Sequence, residues 1–225
     1  MLSVNADAKT IKGVKQGYLT GILYLVPDDE ICPNSPNANC QKECLLWAGR
    51  GAMDSVYRAR LAKTELYKND PIQFYIKLYK AIYALIRKAK REGLIPVVRL
   101  NGTSDIDFSR VYSDFPDIQF YNYTKMPRVS KNANHHLTFS YSGEPAYQKS
   151  VEKALRLNMN MAVVFKGKMP AEFMGRPVIN GDDNDLRFLD KPGVIVGLKF
   201  KGNIRDTKSL FVVDMDKEIP LTLVA

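Results

Sequence analysis

The sequence predicts an α/β fold with a mostly parallel sheet and helices outside it. Short, nearly continuous apolar strand runs recur along the chain. Crossover connections separate them, one of which is a clear amphipathic helix. Each run also gives way at its C-terminal end to small and polar residues, and that is the end at which α/β folds bind ligands. Six such strands fit a partial barrel or an open sheet, and the pattern does not separate the two.

The first predicted strand runs from Tyr18 to Val26 and is stopped by Pro27-Asp28-Asp29-Glu30. A turn-rich loop with Pro33, Pro36, Asn34, Asn37 and Asn39 follows, within a cysteine loop spanning 27–53. A helix is expected from Asp54, whose side chain is placed to cap it ahead of Val56, Ala59, Ala62 and Leu66. The clearest helix spans Pro71 to Arg91. Asp70 is its N-cap, Pro71 occupies the first position and Gly93 supplies the stop. Phe74, Leu78, Ile82, Leu85, Ile86 and Ala89 form its apolar stripe. Further strands are expected at Ile95–Leu100, Ile118–Tyr123, His136–Ser140, Met161–Phe165 and Val194–Phe200, with helices near Phe108–Ser113 and Ala146–Leu157. Lys166–Pro192 reads as irregular, and Leu210–Val213 as a C-terminal edge strand. No repeat or linker divides the chain, so residues 1–225 read as one domain.

Composition is that of a globular protein, with 45% hydrophobic and 25% charged residues. No apolar run approaches the ~20 residues that span a bilayer, and the N-terminus lacks the pattern of an export signal. The odd cysteine count suits a reducing interior, so the sequence reads as cytoplasmic, with no membrane partner. The formal charge of +9, from 33 basic and 24 acidic residues, favours contact with nucleic acid or another anion; it is equally the charge of a solubilising surface.

All three cysteines lie between Cys32 and Cys44, with Cys40 between them. Thiolates this close in sequence commonly share an iron–sulfur cluster or zinc, because sulfur is a soft ligand. Zinc would need a fourth ligand, for which His135 or His136 is the candidate. Inert thiols are the plain alternative, although the surrounding Pro, Asn, Lys and Glu do not describe a core. Asp105 and Lys125 both follow predicted strands and fall on one rim. There they would contact substrate and exchange protons, or else close the sheet end as a salt bridge. Asp182, Asp183 and Asp185 read as turn chemistry, and Tyr121 and Tyr123 as aromatic packing on one strand face. Phosphate-loop, Rossmann, serine-hydrolase and HExxH patterns are absent from the sequence.

Several segments together resemble the phage "gene product 88"-like family. They are Cys32-Pro33 with Cys40 and Cys44, Ala48-Gly49-Arg50-Gly51, Val98 to Asp105, Phe120 to Lys125, Leu137 to Ser140, Ala162 to Phe165, Gly181-Asp182 and Gly193 to Gly197. The likeness implies no activity of its own. A more distant likeness is to radical SAM enzymes, which are partial (β/α)6 barrels with three cluster cysteines after the first strand. It implies a partial (β/α)6 TIM-like barrel here, with Cys32, Cys40 and Cys44 ligating a [4Fe-4S] cluster whose fourth iron is free. By the same likeness Asn101, Gly102 and Thr103 would meet the amino-acid end of S-adenosylmethionine, and Gly193, Ile195 and Gly197 its nucleoside. The cysteine spacing differs from that family's C-x3-C-x2-C, and Phe200 stands where a later motif carries an acid.

The leading expectation is therefore an iron–sulfur protein with a radical-SAM-like site, Asp105 and Lys125 acting on a substrate the sequence does not name. The alternatives are a catalytically degenerate barrel and a basic nucleic-acid-binding module with a structural zinc or cluster. The latter would use Lys77, Lys80, Arg87 and Arg91, with Lys125, Arg128 and Lys131.

Overall fold

Ten β-strands and six α-helices make up the computed structural model, which describes residues 1–5, 8–41, 44, 46, 49–201 and 209–216. The strands are β1 (Ser3–Val4), β2 (Tyr18–Ile22), β3 (Ile95–Arg99), β4 (Gln119–Thr124), β5 (His135–Ser140), β6 (Met161–Lys166), β7 (Glu172–Phe173), β8 (Arg176–Asn180), β9 (Ile195–Lys199) and β10 (Val212–Asp214). The helices are α1 (Ala8–Val14), α2 (Ser35–Ala38), α3 (Asp54–Asn69), α4 (Pro71–Glu92), α5 (Ser109–Asp114) and α6 (Gln148–Arg156).

The strands join one sheet in the order β1-β2-β3-β4-β5-β6-β9-β8-β7, with β10 paired to β6. From β2 to β8 every pairing on this path is parallel; β1 and β7 are antiparallel additions at the two ends. From β2 to β6 each new strand is laid on the same side of the last, with no reversal of order. The sheet is not closed, since its path ends at β1 and β7. Its two ends nevertheless share a neighbour. Helix α1, just before β2, donates from Lys9 Nζ to Gly181 O at 2.9 Å and from Lys12 Nζ to Asp182 O at 3.0 Å, just beyond β8.

Strand alternation divides the core into an outer and an inner side. On the outer side Leu19, Val98 and Phe120 pack against Phe74, Leu78, Ile82, Leu85 and Ala89 of α4. Further along, Phe139, Met161, Val163 and Ile195 pack against Val151 and Ala154 of α6. On the inner side Val97 and Tyr121 meet Leu186, and Ala162 meets Val194 and Val196. Helix α4 forms where its sequence signals place it. Asp70 Oδ1 accepts the Gln73 N–H at 3.0 Å, and Gly93 ends the helix in the left-handed region at φ 66°.

Two expectations need correction. Asp54 is not a cap: Met53 takes that position, and Asp54 pairs instead with Arg58 one turn on, at 2.9 Å. The stretch Lys166–Pro192, read as irregular, contains the β7–β8 hairpin, and β8 joins the main sheet beside β9. Of α3 only Thr64 is fully buried, with Leu66 and Tyr67 partly buried against the outer core. The expected C-terminal strand forms as β10, with β6 as its one paired neighbour among the described strands. It pairs with Val164, Phe165 and Lys166 on the side of β6 that β5 leaves at Ser140, since β9 holds the other side.

Candidate functional site

The cysteine loop lies across the C-terminal rim of the sheet because it is tied there at its start and just after α2. After β2 the chain runs alongside β3 and its continuation: Leu23 N donates to Arg99 O at 2.9 Å, and Thr103 Oγ1 donates to Leu25 O at 2.5 Å. Asp28 then folds the turn, accepting the N–H groups of Glu30 and Ile31 at 3.0 and 3.1 Å, while Cys32 N donates to Asp28 O at 2.9 Å. Asp105 N donates to Ile31 O at 2.8 Å, which fixes the start of the loop to the end of β3. After the single turn of α2, Asn39 adopts φ 47° and turns the chain towards Cys40. Ser142 Oγ donates to Ala38 O at 2.8 Å, and Ser209 Oγ to Asn39 O at 2.5 Å. The loop therefore reaches from the β3 end to the β5 end.

Cys32, Cys40 and Cys44 are all free thiols, Cys40 being buried and the other two half-buried. Burial pushes the Cys32 thiol up to about 12, opposed by the Lys125 ammonium and reinforced by Asp105 and by the other two cysteines. Burial likewise raises Cys44, whose Sγ accepts the Leu46 N–H at 3.5 Å. The three thiols thus lie within electrostatic reach of one another. They do not converge into a ligand shell: among the described residues no three Cys, His, Asp or Glu side chains are placed to hold a metal ion. The histidine ligand considered for zinc is misplaced for that role. His135 and His136 open β5, at the end of the strand away from the cysteine loop. As the alternation requires, they face opposite sides: His135 stacks on Tyr112 at 4.0 Å, and His136 feels the Arg187 guanidinium.

Asp105 and Lys125 do share the rim, but they do not form a side-chain ion pair. The Asp105 carboxylate accepts the Lys125 backbone N–H at 2.7 Å and the Thr124 hydroxyl at 2.9 and 3.1 Å. Burial raises its pKa against those hydrogen bonds. The Lys125 ammonium, on a side chain from a residue only 8% exposed, donates to Ser140 Oγ at 3.0 Å and lies 4.6 Å from the Phe211 ring centre. Among the described residues no carboxylate pairs with it. Tyr147 steadies the same corner, donating its hydroxyl to Lys125 O at 2.7 Å.

The segment Asn101–Thr103 serves the fold. Asn101 Oδ1 accepts from Ser104 Oγ and the Ile106 N–H, and its Nδ2 donates to Ile106 O. Gly102 is required by close packing: a Cβ there would stand 2.6 Å from Leu23 O and from Tyr24 Cδ1. Gly193, Ile195 and Gly197 are not brought to the cysteines. Gly193 precedes β9 at the opposite end of the sheet, with φ 78°. Ile195 is fully buried in the outer core, and a Cβ at Gly197 would meet the Met169 sulfur at 2.5 Å.

Two arginines near the rim were not singled out by sequence reasoning. Arg60 of α3 lies 4.5 Å from the Tyr24 ring centre, within electrostatic reach of Cys44, and its buried Nη1 has no hydrogen-bond partner among the described residues. Arg99, the last residue of β3, points inwards. Its Nη1 donates to Asp185 Oδ2 at 3.0 Å, its guanidinium covers the Tyr123 ring at 4.5 Å, and its buried Nε is unpartnered. Tyr121 donates its hydroxyl to the same carboxylate at 3.0 Å. A charged residue closing an apolar strand was the available signal at position 99; nothing local marks Arg60.

Of the segments that carried the family resemblance, Ala48 lies outside the described residues. No described helix is long and apolar enough to cross a membrane. No curated protein and no solved structure matches the chain. The sequence model of gene product 88 matches residues 1–214 of the 225. The protein belongs to the gene product 88 family.

Proposed function

We propose that this protein is an iron–sulfur protein whose cluster is held by Cys32, Cys40 and Cys44 over the C-terminal rim of a partial (β/α)6 barrel, in a radical-SAM-like arrangement. The observation that carries the reading is the company the thiols keep. Three free cysteines share one pinned loop, beside a buried Lys125 ammonium with no carboxylate partner and an Arg60 nitrogen with no acceptor. Thiolates bound to iron bring net negative charge, and unpartnered cations at that spot would offset it. Donor type and surroundings therefore fit a soft metal group. Their present spacing means that the loop would have to draw the thiols together on binding.

Bound there, a cluster with three protein ligands would supply one-electron chemistry at an iron left open to substrate or cofactor. The chain's own contribution is positioning. Asp105 holds the Lys125 backbone, Tyr147 holds its carbonyl, and the ammonium faces the cysteine loop and Ser140. The unreversed strand order from β2 to β6 and the reach of α1 to the turn after β8 support the barrel reading. S-adenosylmethionine is the finer form of the proposal. It rests on the order of the elements along the chain, since Gly193, Ile195 and Gly197 lie apart from the cysteines and Asn101–Thr103 is engaged within the fold.

The test is metal and acid-labile sulfide content, with an absorption spectrum, after anaerobic purification of the full chain. The proposal expects about four irons and four sulfides per chain, with a visible band that bleaches on reduction and is lost in Cys32→Ser, Cys40→Ser and Cys44→Ser. Zinc without sulfide, or no metal in reconstituted protein, would overturn it.

A further inference from the structure

The outer face of α4 carries a row of cations that neither the cysteine rim nor the packing uses. Within Pro71–Glu92 the only acid is Glu92, against Lys77, Lys80, Arg87, Lys88, Lys90 and Arg91. Lys77, Lys80, Arg87, Lys90 and Arg91 are all exposed. Helical spacing sorts them into two neighbouring stripes, Lys80-Tyr83-Arg87-Lys90 and Lys77-Ala84-Arg91. Among the described residues the only ion pair on this helix joins Lys88 to Glu92, at 3.9 Å, and it involves none of the five. A shallow depression lined by Ala84, Arg87, Lys90 and Arg91 lies at the C-terminal end of the face. Tyr83 stands in the middle of the first stripe and is 52% exposed; its ring is packed edge-on against Phe115, at 5.1 Å.

Five unpaired cations spread over ~21 Å of helix complement a chain of phosphates rather than one small anion. We infer that this face of α4 binds single-stranded nucleic acid without sequence preference, with the backbone following the cations and a base stacking on Tyr83. The choice of a single strand follows from the packing. Helix α4 packs against α3 at its first turn, through the Tyr67–Phe74 ring contact at 5.1 Å, and against α5 further along, through the Tyr79 hydroxyl and Asp114. A helix packed on the sheet and against two neighbouring helices is not the protruding helix that a duplex groove admits. An exposed aromatic ring among cations is instead the arrangement that single strands use, since every base offers a stacking face. The face lies on the outer side of the sheet and does not depend on the cysteine loop holding a metal.

The experiment is fluorescence anisotropy of the full chain with a labelled mixed-sequence 20-nucleotide single strand, with the same sequence as a duplex, and sedimentation with phosphatidylserine vesicles. Lys80→Glu with Arg87→Glu should weaken single-strand binding at least tenfold. Lys149→Glu with Lys153→Glu makes the same charge change on exposed residues of α6 and should weaken it less than threefold. Tyr83→Ala should cost about tenfold for the single strand, as loss of one stacked base does, and leave duplex binding unchanged. Wild-type affinity should fall with added salt, with a log–log slope of about −0.7 for each phosphate contacted. Circular dichroism of each variant would show that the fold is kept. The inference is overturned by equal loss in the α4 and α6 variants, by duplex binding as tight as single-strand binding, or by vesicle binding without oligonucleotide binding.

Discussion

The Asp105 carboxylate accepts the backbone N–H of Lys125 at 2.7 Å, while the Lys125 ammonium turns away from it to Ser140 and the Phe211 ring. One acid therefore fixes where the lysine is anchored without neutralising it, and the positive charge stays facing the cysteine loop. Replacing Asp105 by Ala would strand that N–H inside the protein and leave the Thr124 hydroxyl only the longer contact to Met126 O, at 3.3 Å. The expected loss of stability is ~1–3 kcal/mol, the cost of unsatisfied buried donors. Asp105→Asn keeps one acceptor oxygen and should lose about half as much. Urea unfolding of the two variants checks this; an unchanged midpoint for Asp105→Ala would show that the carboxylate does not hold the rim.

Arg99 and Asp185 form the ion pair that crosses the inner side of the sheet, with Nη1 to Oδ2 at 3.0 Å and both side chains almost wholly buried. Burial works against the Arg99 charge, but the Asp185 carboxylate outweighs it and holds the guanidinium's pKa well above its ordinary value. Asp185→Leu would leave that charge and the Tyr121 hydroxyl without their partner. It should cost ~3–5 kcal/mol, as breaking one side of a buried pair does. Arg99→Met combined with Asp185→Leu should recover most of the loss, because an apolar pair of similar volume removes the orphaned charge. A double-mutant cycle on unfolding free energies reads the coupling directly; additive effects of the two substitutions would refute it.

What was legible in the sequence followed from local rules. Helix α4 could be bounded because its cap, its first-position proline and its stop glycine all lie next to the residues they act on. Cys32, Asp105 and Lys125 could be assigned to one rim because parallel strands present their C-terminal ends together. The Arg99–Asp185 pair was hidden because its members are far apart in sequence and Asp185 sits among turn-forming residues. β8 was hidden for a different reason: Arg176-Pro-Val-Ile-Asn180 carries a proline and two polar ends and is nowhere fully buried, so it has no strand periodicity to read. The likeness at Gly193 to Gly197 has a second, local explanation. Glycines in a strand are equally explained by close packing, here of Met169 against Gly197.

His135 supplies a pH dependence whose sign is set by its neighbours. Asn122 Oδ1 accepts the Asn101 N–H at 2.8 Å, so the Asn122 amide nitrogen must face His135, 2.9 Å from Nε2. An amide nitrogen only donates, so Nε2 accepts, and the ring is neutral with its proton on Nδ1, directed at Ser130 Oγ at 2.9 Å. Protonating Nε2 would set two donors against each other in a buried place. Burial first, then the Arg128 charge, lowers the His135 pKa to about 4. The unfolded chain takes up this proton near its ordinary 6.5, before the folded protein does. Stability is therefore complete above that value and falls as pH drops from 6.5 towards 4, by at most ~1.4 kcal/mol per unit. Thermal or urea unfolding across that window, compared with His135→Gln, checks the origin of the slope. The variant should be less stable at neutral pH but show a shallower acid dependence; an identical slope would assign the effect to the carboxylates instead.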